Sequence, residues 1–69
     1  METIAELRKK AGMTQAELAI RIGVSQMAVS HWESGRRRPG LEALVKLGDL
    51  FDMRPCDVFN TIIQQFPPR

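Results

Sequence analysis

Between Gln26 and Ser34 the chain places an amide, two hydroxyls, an imidazole and a thioether within nine residues. Taken at about 100° per residue from Val29, the side chains of Met27, Ser30, His31 and Ser34 lie roughly 100–160° away, opposite an apolar stripe set by Val29 and Trp32. Gln26 falls nearer the edge, but in a first turn it points forward past the helix end. This is a set that can touch nucleic-acid bases. A glutamine amide pairs with N6 and N7 of adenine, a hydroxyl bonds to several base edges, and a thioether meets a thymine methyl. The face carries no acidic group, which suits a polyanion. His31 fits either a base or a phosphate, and with no second His or Cys cluster near it in the sequence it is no metal ligand. Trp32, by its spacing, belongs to the core rather than to a stacked base.

The elements that would hold this face can be read from their ends. Thr14 is followed three residues later by Glu17, a capping box that satisfies free backbone N–H groups at a helix start. The helix it opens runs from Gln15 to Ile22, and Gly23 stands where the chain leaves it. Ser25 then caps a second helix that lasts until Gly35. Leu18 and Ile22 give the first of these helices its apolar face. Ala19 is small where the two must approach, and Val24 plugs the corner. Two helices joined by a tight glycine-containing turn make a helix-turn-helix.

Upstream, residues 2–11 read as helix 1, ended by Gly12, with Ile4, Leu7, Arg8 and Ala11 on one face. An arginine on an apolar stripe calls for a partner. Glu33 raises the same question, because it lies about 40° from the core direction of Val29. An Arg8–Glu33 pair fastening helix 1 to helix 3 answers both. Downstream, Arg36, Arg37 and Arg38 precede Pro39 in a basic loop, and guanidinium groups hold phosphates without reading sequence. Helix 4 spans Leu41 to Phe51, with Leu41, Leu44, Leu47, Gly48 and Phe51 expected to face inward. Helix 5 starts at Pro55, with Asp57 near its positive end, and stops before Phe66-Pro67-Pro68. Its apolar residues cover more than one stripe. Val58, Phe59, Ile62 and Ile63 are therefore expected to form a dimer surface, with Val45 and Leu50 on the flanks of helix 4. Ile20 is an apolar residue with no evident place.

The matched residues extend over nearly the whole chain: TQAELA at 14–19, Gly23, Val24-Ser25, Val29 and WESG at 32–35, with Arg8, Pro39 and LEALVKL at 41–47 in register. In these residues the chain resembles the lambda-repressor and Cro type of helix-turn-helix, the XRE-like family of bacterial and phage regulators. The resemblance implies an all-α, five-helix lambda-repressor-like DNA-binding domain with the helix-turn-helix at helices 2 and 3. It also implies an arginine–carboxylate bridge at Arg8 and Glu33. A glutamine at the place of Gln15 in that family bonds the DNA backbone and braces the first residue of the reading helix, here Gln26. Base contacts are thus expected from Gln26, Met27, Ser30 and His31. Backbone contacts are expected from Gln15, Ser25, Ser34, Arg36, Arg37 and Arg38.

Composition sets the outer bounds. The 69 residues are 43% hydrophobic and 26% charged, which reads as one globular domain over residues 1–65 with a tail at 66–69. The single cysteine, Cys56, rules out an internal disulfide and a cysteine-based zinc site and fits a reducing cytoplasm. No apolar run approaches the ~20 residues of a membrane span, and no signal sequence opens the chain. Net charge is only +2, but residues 1–38 hold seven basic and four acidic side chains, while residues 39–69 hold three and four. Positive charge gathers at Arg8-Lys9-Lys10 and at Arg36-Arg37-Arg38, on both sides of the reading unit. No Ser–His–acid set and no phosphate-cradling glycine loop is present, so no enzyme, cofactor or small-molecule ligand is expected. One such helix reads only about four base pairs, so two copies with helices about 34 Å apart should read a near-palindrome. The expectation is a cytoplasmic, sequence-specific transcriptional repressor. It acts on double-stranded DNA as a weak homodimer that the operator tightens, similar to a stand-alone Cro-type phage or prophage switch. The alternative is an antitoxin-like module whose C-terminal apolar surface binds a partner protein, with autoregulatory DNA binding.

Overall fold

A computed structural model describes residues 3–65, with side-chain surroundings through residue 61. It contains five helices: α1 (Ile4–Lys10), α2 (Gln15–Ile22), α3 (Gln26–Ser34), α4 (Leu41–Phe51) and α5 (Pro55–Gln65). The tail at 66–69 lies outside the described residues.

The first three helices each begin on a side-chain oxygen. Thr14 Oγ1 accepts from the Glu17 N–H at 3.1 Å while the Thr14 N–H donates to Glu17 Oε1 at 3.0 Å, so the capping box is complete. The Thr14 N–H, and after it the Thr14 hydroxyl, also hold the Glu17 carboxyl below its usual range. Ser25 Oγ accepts from the Ala28 N–H at 3.1 Å. Thr3 Oγ1 does the same for the Glu6 N–H at 3.2 Å, which makes α1 shorter than the expected 2–11. The Thr-x-x-Glu spacing of 14–17 recurs at 3–6 and marks that start. At the other ends, Gly23 (φ +81°) and Gly35 (φ +82°) take the left-handed conformation, which a side chain would strain.

Apolar faces then close over one core of Ile4, Leu18, Ala19, Ile22, Val29, Trp32, Leu44, Leu47 and Val58. Removing each large aliphatic of this set from water stabilises the fold by about 1.5–3 kcal/mol. Packing runs α1 on α3, α2 on both α3 and α4, and α4 on α5. Lys46 Nζ reaches the Ile22 carbonyl at 3.4 Å, a cation at the C-terminal end of α2.

Three expectations about burial are corrected. Leu41 is 76% exposed, because at the first position of α4 its inward direction opens onto a surface groove. Ala11 is exposed, since the chain has already left α1 at that residue. Val58 is only 1% exposed and belongs to the core, so it is not available to a second copy. The side chains of Ile62 and Ile63 lie outside the described ones. Ile20, at 79% exposure, points into solvent from α2.

Candidate nucleic-acid interface

The outer face of α3 and the first turn of α2 meet in a surface hollow of about 410 Å³ lined by Gln15, Gln26, Met27 and Ser30. Helix packing puts them together. With Leu18 and Ala19 of α2 and Val29 and Trp32 of α3 all buried, the two helices turn their opposite sides outward around their N-termini. Met27 is two-thirds exposed, Gln26 is exposed, and Ser30 and His31 are half-buried. His31 does not line the hollow; it stands one residue further along the same helix.

Beneath this face lies a polar cluster. Arg8 Nε donates to Glu33 Oε2 at 2.7 Å and Nη2 to Oε1 at 3.0 Å, a two-point pairing of guanidinium and carboxylate. The side chains are only 11% and 9% exposed. Arg8 Nη1 also donates to the Met13 carbonyl at 2.8 Å, which ties the turn after α1 to the same pair. Burial alone would push the Glu33 carboxyl up. The Arg8 and Gln15 hydrogen bonds, with the charges of Arg8 and Lys9, outweigh it and hold the group below the usual carboxylate range. The same bond to Glu33 raises Arg8 against a smaller opposing effect of burial. Arg8 is therefore an interior residue, and the amino-terminal positive charge open to solvent comes from Lys9 and Lys10.

Gln15 joins this cluster. Its Nε2 donates to Glu33 Oε1 at 3.0 Å, a bond that sequence reasoning missed although it had already turned Glu33 inward. The two residues are 18 positions apart, and only the packing of α2 on α3 brings them together. Ser25 is exposed and uses its oxygen as the α3 cap. Ser34 Oγ donates back to the His31 carbonyl at 3.3 Å, so its proton is directed at its own helix. Arg36, Arg37 and Arg38 are exposed in the loop that follows α3.

The face so assembled offers amides, a hydroxyl and a thioether near the positive ends of two helices, and the exposed Arg36, Arg37 and Arg38 follow the opposite end of α3. Residues 4–58 match the helix-turn-helix family over its run of helices. The chain belongs to that helix-turn-helix family. It is the XRE and Cro type, a family of non-enzymatic DNA-binding regulators. Among curated helix-turn-helix relatives, the chain is 42% identical over 57 residues to the transcriptional regulator AnsR of Bacillus subtilis, covering 83% of this chain and 48% of AnsR. It is 39% identical over 56 residues to a helix-turn-helix regulator of Archaeoglobus fulgidus, covering 81% and 80% of the two chains. It is also 38% identical over 52 residues to RstR of Vibrio cholerae, named as the transcriptional repressor of a cryptic phage, covering 75% of this chain and 46% of RstR. The chain thus spans about half the length of AnsR and of RstR. Among the described residues, no helix-turn-helix element or other helix is long and apolar enough to cross a membrane.

Proposed function

We propose that this helix-turn-helix chain is a cytoplasmic transcriptional repressor that binds double-stranded DNA sequence-specifically by laying α3 in the major groove. The observation that carries the reading is the hollow shared by Gln15, Gln26, Met27 and Ser30 at the N-termini of α2 and α3. Gln26, Met27 and Ser30, with His31 beside them, read base edges. The loop of Arg36, Arg37 and Arg38 grips the phosphates that pass the C-terminal end of α3, and the free N–H groups at the starts of α2 and α3, at Gln15 and Ser25, meet phosphates there. Ser34 contributes to phosphate binding only when its bond to His31 opens. Filling the groove of a promoter excludes polymerase, and the likeness to RstR supports repression in a phage or prophage setting.

The operator is a near-palindrome read by a weak homodimer that DNA tightens. Its interface is the apolar groove of about 470 Å³ between the starts of α4 and α5, lined by Pro39, Leu41, Leu44, Pro55, Cys56 and Phe59. Leu41 is 76% and Phe59 44% exposed there, apolar surface that a second copy would cover. The same groove supports a second reading, an antitoxin-like module that seats a different polypeptide. Sedimentation of the purified chain with duplex separates the two. Two copies on one palindrome support the homodimer, whereas one copy per duplex and a stoichiometric host protein in a pull-down support the second.

Selection from random duplex DNA tests the central reading. The parent should enrich a two-fold symmetric site, and Gln26→Ala and Ser30→Ala should relax preference at one or two positions in each half. If both variants only weaken binding uniformly, α3 is not the reading element. Affinity should also fall steeply with salt, with a log–log slope of roughly −7 for about eight phosphates neutralised.

A further inference from the structure

The bond between Gln15 and Glu33 decides which way the Gln15 amide faces. A carboxylate only accepts, so the group that Gln15 turns toward Glu33 Oε1, 3.0 Å away, has to be its NH2. The Gln15 carbonyl oxygen then faces away from Glu33. Gln15 also lines the hollow with Gln26, Met27 and Ser30. Glu33 is itself locked, because Arg8 holds both of its oxygens and the pair is nearly closed to solvent. A glutamine on the surface would otherwise flip freely between its two amide orientations.

We infer that Glu33 is a positioning residue for base reading: by fixing the Gln15 amide through its NH2, it makes Gln15 present an acceptor to the reading hollow. The inference rests on the proposed DNA binding and gives it a finer chemistry. An acceptor at this point cannot receive a phosphate oxygen, which has no proton to give. It can receive an N–H of the Gln26 amide, or the exocyclic amino group of adenine or cytosine. Gln15 keeps a second N–H for a phosphate, so its two roles fall on different atoms. The Arg8–Glu33 pair, nearly closed to solvent, thereby reaches the reading face through one hydrogen bond.

A double-mutant cycle read as base preference tests this. Gln15→Met keeps the length of the side chain, loses both amide groups and leaves the Arg8–Glu33 pair intact. Glu33→Gln keeps the shape but leaves one acceptor oxygen for three N–H donors, two from Arg8 and one from Gln15, so the Gln15 amide loses its fixed partner. Each single variant should reduce discrimination at the same base position, by about tenfold. In the Gln15→Met background, Glu33→Gln should then change that preference no further, although it still lowers thermal stability. If Glu33→Gln does not fold, Glu33→Asp replaces it in the cycle, retaining the charge opposite Arg8 while drawing the oxygen back from Gln15. Uniform weakening by the Glu33 variant on every sequence, equal in both backgrounds, overturns the inference and leaves a purely structural pair. A parent that selects no sequence at all overturns the DNA-binding reading, and this inference with it.

Discussion

Each of the three amino-terminal helices starts on a side-chain hydroxyl, and α1 is joined to α3 by a two-point ion pair that also takes in Gln15 and the Met13 carbonyl. Helix α4 starts instead at Gly40 with no side-chain cap and ends at Asp52, the one described non-glycine residue with positive φ. The outer surfaces differ in the same sense. Around α2 and α3 the outward groups near the helix starts are mostly polar, with Met27 and, further along α2, Ile20 as the exposed apolar residues, whereas α4 and α5 leave Leu41, Val45 and Phe59 exposed around one groove and its flank. Hydrogen bonds are directional, and apolar burial is not. A face that must meet bases at fixed distances benefits from being held by bonds with set angles. A surface that only has to cover another apolar surface can be built from packing alone.

Breaking the ion pair tests the first half of that contrast and should have the largest effect. Arg8→Ala strands the nearly buried Glu33 carboxylate and should cost about 3 kcal/mol in a thermal or denaturant melt. A domain of this size has only about 3–10 kcal/mol in total, so the variant should be marginally folded. Acid sharpens the result. The folded-state pKa of Glu33 is depressed, so its contribution is fully present above the unfolded value of about 4.3 and is lost as pH falls through the lower folded value. In Arg8→Ala the carboxylate is buried without its cation, and protonation relieves it. The gap between parent and variant should therefore shrink on acidification. A gap that stays constant from pH 7 to pH 3 would show that the pair contributes little to stability.

The second half turns on backbone contact. A Cβ on Gly48 would stand 2.6 Å from the Met53 carbonyl oxygen, in the turn between α4 and α5. Alanine is the better helix former by about 1 kcal/mol, which would favour the substitution in open space. Here the obstacle is backbone that also donates Met53 N–H to the Gly48 carbonyl at 2.8 Å, so the clash should win. Gly48→Ala should destabilise by about 2 kcal/mol. It should also shift amide resonances in α4 and α5 while leaving those of the Arg8–Glu33–Gln15 cluster in place. Shifts spreading into that cluster would mean that the two halves are not separately held.

These differences also explain what could be read from the chain. The bounds of α2 and α3 and the start of α5 were legible because Thr14, Ser25, Gly23, Gly35 and Pro55 mark them locally, those of α4 from its apolar periodicity, and the Arg8–Glu33 pair because both charges sat on inward stripes. Leu41 was misplaced because periodicity gives a direction and not whether anything stands in it. Val58 was assigned outward because α5 is apolar on more than one side, and only its packing on α4 selects the buried one. The Gln15–Glu33 bond depends on how two helices cross, and no local spacing encodes that. The roles of individual side chains on DNA rest on the same kind of information, and the base-preference experiments supply it.

The smallest expected effect is a gain, and it falls at the end of α4. Asp52 closes α4 at φ +55° and ψ +48°, with its N–H donating to the Gly48 carbonyl. Two costs coincide there. A side chain in the left-handed region is disfavoured by about 1 kcal/mol relative to glycine, and a carboxylate at a helix C-terminus opposes the partial negative charge of the last carbonyls. Asp52→Asn removes the charge and keeps a residue that tolerates this conformation, so it should stabilise by about 0.3 kcal/mol. Asp52→Gly removes both costs but gives the unfolded chain more freedom, for a net gain of about 0.5–1 kcal/mol. Melts of the two variants separate charge from backbone. If asparagine already captures the whole gain, the helix end is limited by electrostatics; if only glycine helps, it is limited by conformation. DNA affinity should be unchanged in both, because the hydrogen bonds that hold α3 run through Arg8, Gln15 and Glu33.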